Sequence, residues 1–163
     1  MNIKAFFDGT ISRNPGGKAK YGFIIYRKNL VTTQQRGYIG KGKGMTCNVS
    51  EVVALELLIN KLFRNNYKKN TTINIYGDSI LAINWTTGKY KLKCDTAVKY
   101  ASYAKELFKE LSVRHKVTLQ WIPRSQNIAH VICDYEERVR KLPTQYFIQE
   151  CKSLPLKYTT IKQ

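Results

Sequence analysis

The chain has 163 residues, 43% of them hydrophobic, which suits one compact domain with a sizeable core; a second independent domain is not expected. It carries 28 Lys plus Arg against 11 Asp plus Glu, a formal net charge of +17, so its surface field attracts polyanions. An anionic membrane would call for a basic amphipathic helix or a polybasic block, and neither is present; solubility alone needs less charge; nucleic acid is left as the leading partner.

In chain order, Ile3 to Phe7 and Tyr21 to Arg27 are rich in β-branched and aromatic residues and read as strands, joined by the turn "ISRNPGGKAK". A third strand is expected from Leu30 to Tyr38 after a turn at Asn29, with "IGKGKGMT" behind it as a basic loop. From Asn48 to Arg64 the spacing of Val52, Leu55, Ile59 and Leu62 predicts a helix. Thr72 to Tyr76 is a short strand, and Asp78-Ser79 makes an N-terminus for a helix over Ile80 to Trp85. The strand, helix, strand order requires a crossover, so the fourth strand can lie parallel to the first. Thr87-Gly88 ends that helix, and the basic run "KYKLKCD" follows.

Thr96 to Leu111 is amphipathic, with Val98, Ala101, Tyr103, Leu107, Phe108 and Leu111 on its apolar side. "KVTLQWIP" is a fifth strand stopped by Pro123, and Asn127 to Lys141 a last helix. His115, in the connection before the fifth strand, reads as solvated. The order βββ, α, β, α, α, β, α gives an α/β fold with a five-stranded mixed sheet, three antiparallel strands followed by parallel additions, flanked by helices. Residues 1–141 form the domain and 142–163 a tail of undefined structure. The four cysteines lack CxxC spacing and read as reduced thiols, and "MNIKAFF" lacks the pattern of a secretory signal. A cytoplasmic, monomeric, free-standing chain is expected.

With only 11 acidic residues, each can be inspected in place. Asp8 follows IKAFF and Asp78 follows INIYG, so both stand at the C-terminal ends of core strands, the usual site edge of an open α/β sheet. In parallel neighbours about 4.8 Å apart the two carboxylates lie side by side, and their repulsion is relieved by an oxygen-seeking divalent cation. Glu51 stands at the start of the long helix, either as a member of that cluster or as half of a capping box with Asn48 or Cys47. Asp134 lies in the last helix, either at the site or as a solvated helix charge.

The segments "DGTISRNPGG", "TCNVSEVVALELLI", "IYGDSILAINW" and "WIPRSQNIAHVICDYEE", in this order and spacing, resemble type 1 ribonuclease H over roughly Ile3 to Lys141. The resemblance implies a ribonuclease H-like fold of the short form without a basic-protrusion helix. It implies endonucleolytic hydrolysis of the RNA strand of RNA–DNA hybrids with two Mg²⁺ or Mn²⁺ ions, leaving 5′-phosphate and 3′-hydroxyl ends. Asp8, Glu51 and Asp78 match the family's catalytic, metal-holding acids directly. In the pattern W-x-P-R-x-x-N-x-x-A-D the fourth acid comes four residues after the Asn, where this chain has Val131; Asp134, the next acid along, is the expected fourth member. It reaches the site either from nearly the same helix face or through a later helix start after an extended Ser125 to His130. Bacterial relatives place a mobile His where Arg124 stands, and His130 is its one nearby substitute, against the commoner reading of a surface or capping His.

For contact with RNA 2′-hydroxyls the resemblance implies Gly9, Asn14 and Asn48, with Ser79 beside them. Asn14 is equally a turn former before Pro15 and Asn48 equally an N-cap, and the family's polar amide before Asn48 is here Cys47. Lys89, Lys91, Lys93 and Arg124, with the loop Lys41 to Lys43, are candidates for gripping phosphates. Two further readings of the same chain are a non-catalytic nucleic-acid-binding module on this fold and a 3′ to 5′ exonuclease. The second is disfavoured because Thr10 stands where an Asp-x-Glu motif needs Glu.

Overall fold

The structure, a computed structural model, describes residues 1–91 and 95–138, the backbone alone at 95 and 134–138. Five strands, β1 (Asn2–Ile11), β2 (Gly16–Arg27), β3 (Leu30–Gly42), β4 (Thr72–Gly77) and β5 (Lys116–Trp121), form one sheet in the order β3-β2-β1-β4-β5. The β1-β2 and β2-β3 pairs are antiparallel, and the β1-β4 and β4-β5 pairs are parallel. Helices α1 (Cys47–Arg64), α2 (Ile80–Thr86), α3 (Asp95–Arg114) and α4 (Ile128–Arg138) complete the fold, with one 3-10 turn at Arg124–Gln126 before α4. Element order and strand directions are those read from the sequence.

Alternation along β1 divides the interior. Ile3, Ala5 and Phe7 join Val52, Leu55, Leu58 and Ile59 of α1 and the alanine stripe Ala97, Ala101 and Ala104 of α3 in the larger core. Phe6 points the other way, into a smaller core with Ile24, Tyr26, Tyr76, Ile122, Ile128, Ala129 and Ile132. The small α3 residues let two long helices lie close on the same face, while Tyr103, expected among the apolar members, is 47% exposed. The smaller core rests on ring packing, with Phe6 stacked on Tyr76 at 5.2 Å and edge-on to Tyr26 at 6.0 Å.

The first three strands outrun their expected ends. Thr10 pairs with Lys20 and Ile11 with Ala19, so most of the expected turn lies within β1 and β2, and Asp8 sits inside β1 opposite Gly22 rather than at the strand's end. The "IGKGKG" segment likewise pairs, Gly40 with Ala19 and Gly42 with Gly16. Backbone hydrogen bonding is indifferent to the low strand propensity of Gly and Lys there, which is why propensity cut the strands short. α1 is capped by Thr46, whose Oγ1 accepts from Val49 N–H at 3.2 Å, so Asn48 is not the N-cap. His115 is buried rather than solvated, its ring edge-on to Tyr67 at 6.2 Å, and burial pushes its pKa down. Residues 139–163, including the end of the expected last helix and the tail from 142, lie outside the described residues, as does Lys93.

Candidate active site

Asp8 and Asp78 are brought together by strand register. Phe6 pairs with Tyr76 across the parallel β1-β4 ladder, and each acid lies two residues further along its chain. Glu51 arrives from α1, on the opposite face. Gly9 makes that approach feasible: a Cβ there would overlap the backbone of Ser50 and Glu51, so α1 can press its first turns onto β1 only where no side chain stands. The Gly9 N–H then donates to Glu51 Oε2 at 3.3 Å, which rules out the capping-box alternative for Glu51. One carboxylate oxygen from each of Asp8, Glu51 and Asp78 lies within 4.8 Å of the others.

Burial sets the electrostatics. Asp8 is fully buried and Glu51 is 6% exposed. Burial, then repulsion from Asp8 and Asp78, raises the Glu51 pKa well above its ordinary value, against the Gly9 hydrogen bond. Asp8 is raised as well, by burial first and by Asp78, with the hydrogen bond to His130 opposing. Asp8 Oδ1 has no hydrogen-bond partner. A buried carboxylate oxygen left unpartnered between two further acids fits a group of positive charge and oxygen preference.

The polar residues around the acids come from the strand-to-helix passage before α4. Asn127 Nδ2 donates to Asp78 Oδ1 at 2.7 Å and to the Phe7 carbonyl at 2.9 Å, while its Oδ1 accepts from Ala129 N–H at 3.2 Å. One buried amide thus orients Asp78 and ties the start of α4 to β1. Arg124 Nη1 is 3.7 Å from Asp78 Oδ2 with its side chain 57% exposed, and the half-exposed Trp121 indole donates to the Asp78 carbonyl at 3.1 Å. His130, in the first turn of α4, places Nδ1 3.0 Å from Asp8 Oδ2. The Cys133 thiol, one turn on, contacts the Asp8 carbonyl at 3.3 Å. Neither Cys133 nor Cys47 forms a disulfide.

The family model for RNase H matches residues 1–135. The chain belongs to the ribonuclease H family. Its fold is similar to that of RNase H1 from the halophilic archaeon Halobacterium salinarum, at 22% identity over 83% of this chain and 96% of that one, with a TM-score of 0.69. It is also similar to LC11-RNase H1, isolated from compost by a metagenomic approach, at 25% identity over 77% of this chain and 87% of that one, with a TM-score of 0.67. LC11-RNase H1 in complex with an RNA/DNA hybrid matches at 24% identity over 77% of this chain and 88% of that one, with a TM-score of 0.65.

Of the residues expected at this ribonuclease H site, the structure joins Asp8, Glu51 and Asp78. Asp134 lies on α4, one turn after His130, and its side chain is outside what is described. The Ser79 hydroxyl caps α2, accepting from Ala82 N–H at 3.3 Å. Asn14 is exposed and its Oδ1 accepts from Cys47 N–H at 3.2 Å, docking the first loop on the start of α1; Asn48 beside it is exposed. Lys89 is exposed just past α2, in the connection toward α3, and Lys91 follows it, also exposed. α4 begins at Ile128, which removes the late-start alternative and puts His130 on the helix.

Sequence reasoning misses Asn127 and offers His130 without its place on Asp8. Asn127 reads only as a helix start, because its partners Phe7 and Asp78 are far away in the chain. His130 had a legible signal: in N-x-x-A-D the acid follows Ala directly, and here His130 directly follows Ala129 once one residue is dropped after Asn127.

Proposed function

We propose that this ribonuclease H family member hydrolyses the RNA strand of RNA–DNA hybrids endonucleolytically, using two divalent cations, Mg²⁺ or Mn²⁺, and leaving 5′-phosphate and 3′-hydroxyl ends. The observation that carries the reading is the buried convergence of Asp8, Glu51 and Asp78 within 4.8 Å in a chain of net charge +17. Asp8, Glu51 and Asp78 would hold the cations, and Asp134 is the acid the sequence offers as a fourth member. When bound, such cations lower the pKa of a nucleophilic water and stabilise charge on the leaving oxygen.

The chain's own groups do the positioning. Asn127 fixes the Asp78 carboxylate, Gly9 holds Glu51, and the sheet register sets Asp8 against Asp78. The Gly9 N–H is engaged by Glu51, so of the candidates for the RNA sugar edge the amide of Asn14 and the exposed Asn48 are the donors that remain. Arg124, over the Asp78 edge of the cluster, and Lys89 and Lys91 would meet phosphates, drawing a polyanion toward a site that would otherwise repel it. LC11-RNase H1, similar in fold, is known in complex with an RNA/DNA hybrid, which supports this substrate class.

The test is purified protein with Mg²⁺ or Mn²⁺ on end-labelled hybrid, duplex RNA, duplex DNA and single strands. Cleavage of the hybrid's RNA at internal positions is expected, with products carrying 5′-phosphates. Tight hybrid binding without cleavage under both metals would reduce the protein to a binding module.

A further inference from the structure

We propose that His130 supplies an imidazole nitrogen as a ligand to a divalent cation held on Asp8, so that the metal centre takes a histidine from α4 as well as carboxylates. This rests on the proposed metal-dependent reading of the same site.

Three observations converge on it. Nδ1 of His130 lies 3.0 Å from Asp8 Oδ2. An octahedral ion with ligand bonds of about 2.1 Å sets adjacent donor atoms about 3.0 Å apart, so the two atoms already have the spacing of neighbouring ligands on one ion. Asp8 itself is fully buried, and its other oxygen, Oδ1, has no hydrogen-bond partner, which leaves it coordinating capacity. His130 is not a member of the three-acid group whose donor atoms lie within 4.8 Å of one another. Asp8 therefore presents Oδ2 to His130 and keeps Oδ1 without a partner, while its carboxylate also stands in the cluster with Glu51 and Asp78.

The helix that carries the ring is also held in place. Asn127 pins the first turn of α4 to β1 through the Phe7 carbonyl and to Asp78. The helix sits close on β2 because Gly22 has no side chain: a Cβ there would come within 2.7 Å of Cys133 Sγ. A donor fixed by packing and buried hydrogen bonds loses little freedom on binding a cation.

The chemistry that follows differs from that of an all-carboxylate site. Imidazole is a softer, neutral donor that suits transition metals, whereas carboxylate and water suit Mg²⁺. The His130 position should prefer Mn²⁺, Co²⁺ or Zn²⁺ over Mg²⁺. Its side chain is 24% exposed, within reach of an ion arriving from solvent. The competing reading is that His130 pairs with Asp8 as a counter-charge, which an arriving cation must displace.

Calorimetric titration at pH 8 separates these. Mn²⁺ and Mg²⁺ are titrated into the wild-type chain and into His130→Ala, His130→Asp, Asp134→Asn and Asp8→Asn, each checked for native circular dichroism. His130→Ala is expected to weaken Mn²⁺ binding about tenfold or more and Mg²⁺ binding less, and His130→Asp to shift preference toward Mg²⁺. Unchanged or tighter Mn²⁺ binding in His130→Ala overturns the proposal, as does loss of that binding in Asp134→Asn alone.

A variant-free readout uses the wild-type chain labelled with ¹⁵N in its imidazoles, of which there are two. Zn²⁺ should shift the His130 ring nitrogens as a metal bond does and leave those of His115 in place, since His115 precedes β5 at the end opposite the site. No shift at His130 in the presence of bound Zn²⁺ also overturns it. If Asp8→Asn abolishes cation binding while His130→Ala does not, the metal-dependent reading survives and the histidine ligand falls; if Asp8→Asn binds as the wild type does, both fall.

Discussion

On one face of the sheet α1, α2 and α3 bury an almost wholly apolar core, from Ile3 and Phe7 of β1 through Val52, Leu55 and Leu58 to Ala101 and Ala104. On the other face, among the described residues, α4 and Ile122 before it cover Phe6, Ile24 and Tyr76, and the same short helix and its approach bring Asn127, His130 and Cys133 onto Asp8 and Asp78. The larger core fixes where the strands lie; the smaller one decides what surrounds the carboxylates. Glu51 is the exception that crosses over, and it does so at Gly9, where the missing side chain opens a way around the strand. Stability and chemistry are thus divided between the faces, and substitutions on the two should have different signatures.

The sharpest way to break this division is at the residue both faces share. Asp8→Asn is expected to lower hybrid cleavage by more than about 100-fold, beyond the range typical of losing an outer-shell partner, while hybrid binding by fluorescence anisotropy stays near wild type. Substantial cleavage by Asp8→Asn would sink the site assignment. On the α4 face, Asn127→Ala should lower cleavage about 10- to 100-fold by freeing Asp78, and cost about 1–3 kcal/mol in urea unfolding because the Phe7 carbonyl loses its donor. On the α1 face the balance reverses. Gly9→Ala should cost about 3 kcal/mol of stability by forcing α1 off β1, visible first as a lowered denaturation midpoint.

Glu51 gives a pH-dependent version of the same contrast. Its folded pKa is raised by burial and by Asp8 and Asp78. Without divalent metal the native state therefore holds a proton that the unfolded chain releases near its ordinary pKa of about 4.3. Above that pH the folded state binds more protons than the unfolded one, so stability falls as pH rises toward the folded pKa, and Asp8 acts in the same direction. In EDTA, Glu51→Gln should melt at a higher temperature than wild type, by a margin that widens as pH rises from 4 to 8. Saturating Mn²⁺ should narrow that margin, since a ligand at 100 times its Kd adds about 2.7 kcal/mol to the chain that binds it. A margin independent of pH would show that Glu51 is not held against its own charge. The smallest effect is expected at the rim, where Arg124→Ala should reduce the slope of log affinity against log salt for hybrid by about one unit.

Much of this was legible beforehand. Hydrophobic period and turn residues yielded the five strands and four helices of the described residues in order, since each element carries its own pattern. Strand ends were not, because Gly16 to Lys20 and Gly40 to Gly42 are strand through their partners and not through their own propensity. Asp8, Asp78 and Glu51 could be picked out because each stands at a recognisable place near an element end, in a motif of fixed spacing. Asn127 could not, since what matters about it lies on β1 and beyond β4, 120 residues away for Phe7; His130 is a candidate in the sequence, but its place on Asp8, 122 residues away, is set by the fold.

By itself, then, the sequence determined the order of elements, the family of the fold and the three acids, because those depend on local periodicity, turn chemistry and motif spacing. Only the tertiary structure decided that Glu51 would reach past Gly9 instead of capping its own helix, and that His130 would face Asp8. Both outcomes depend on how closely a helix can approach a strand, and that distance is set by the side chains, or their absence, on the two packed surfaces.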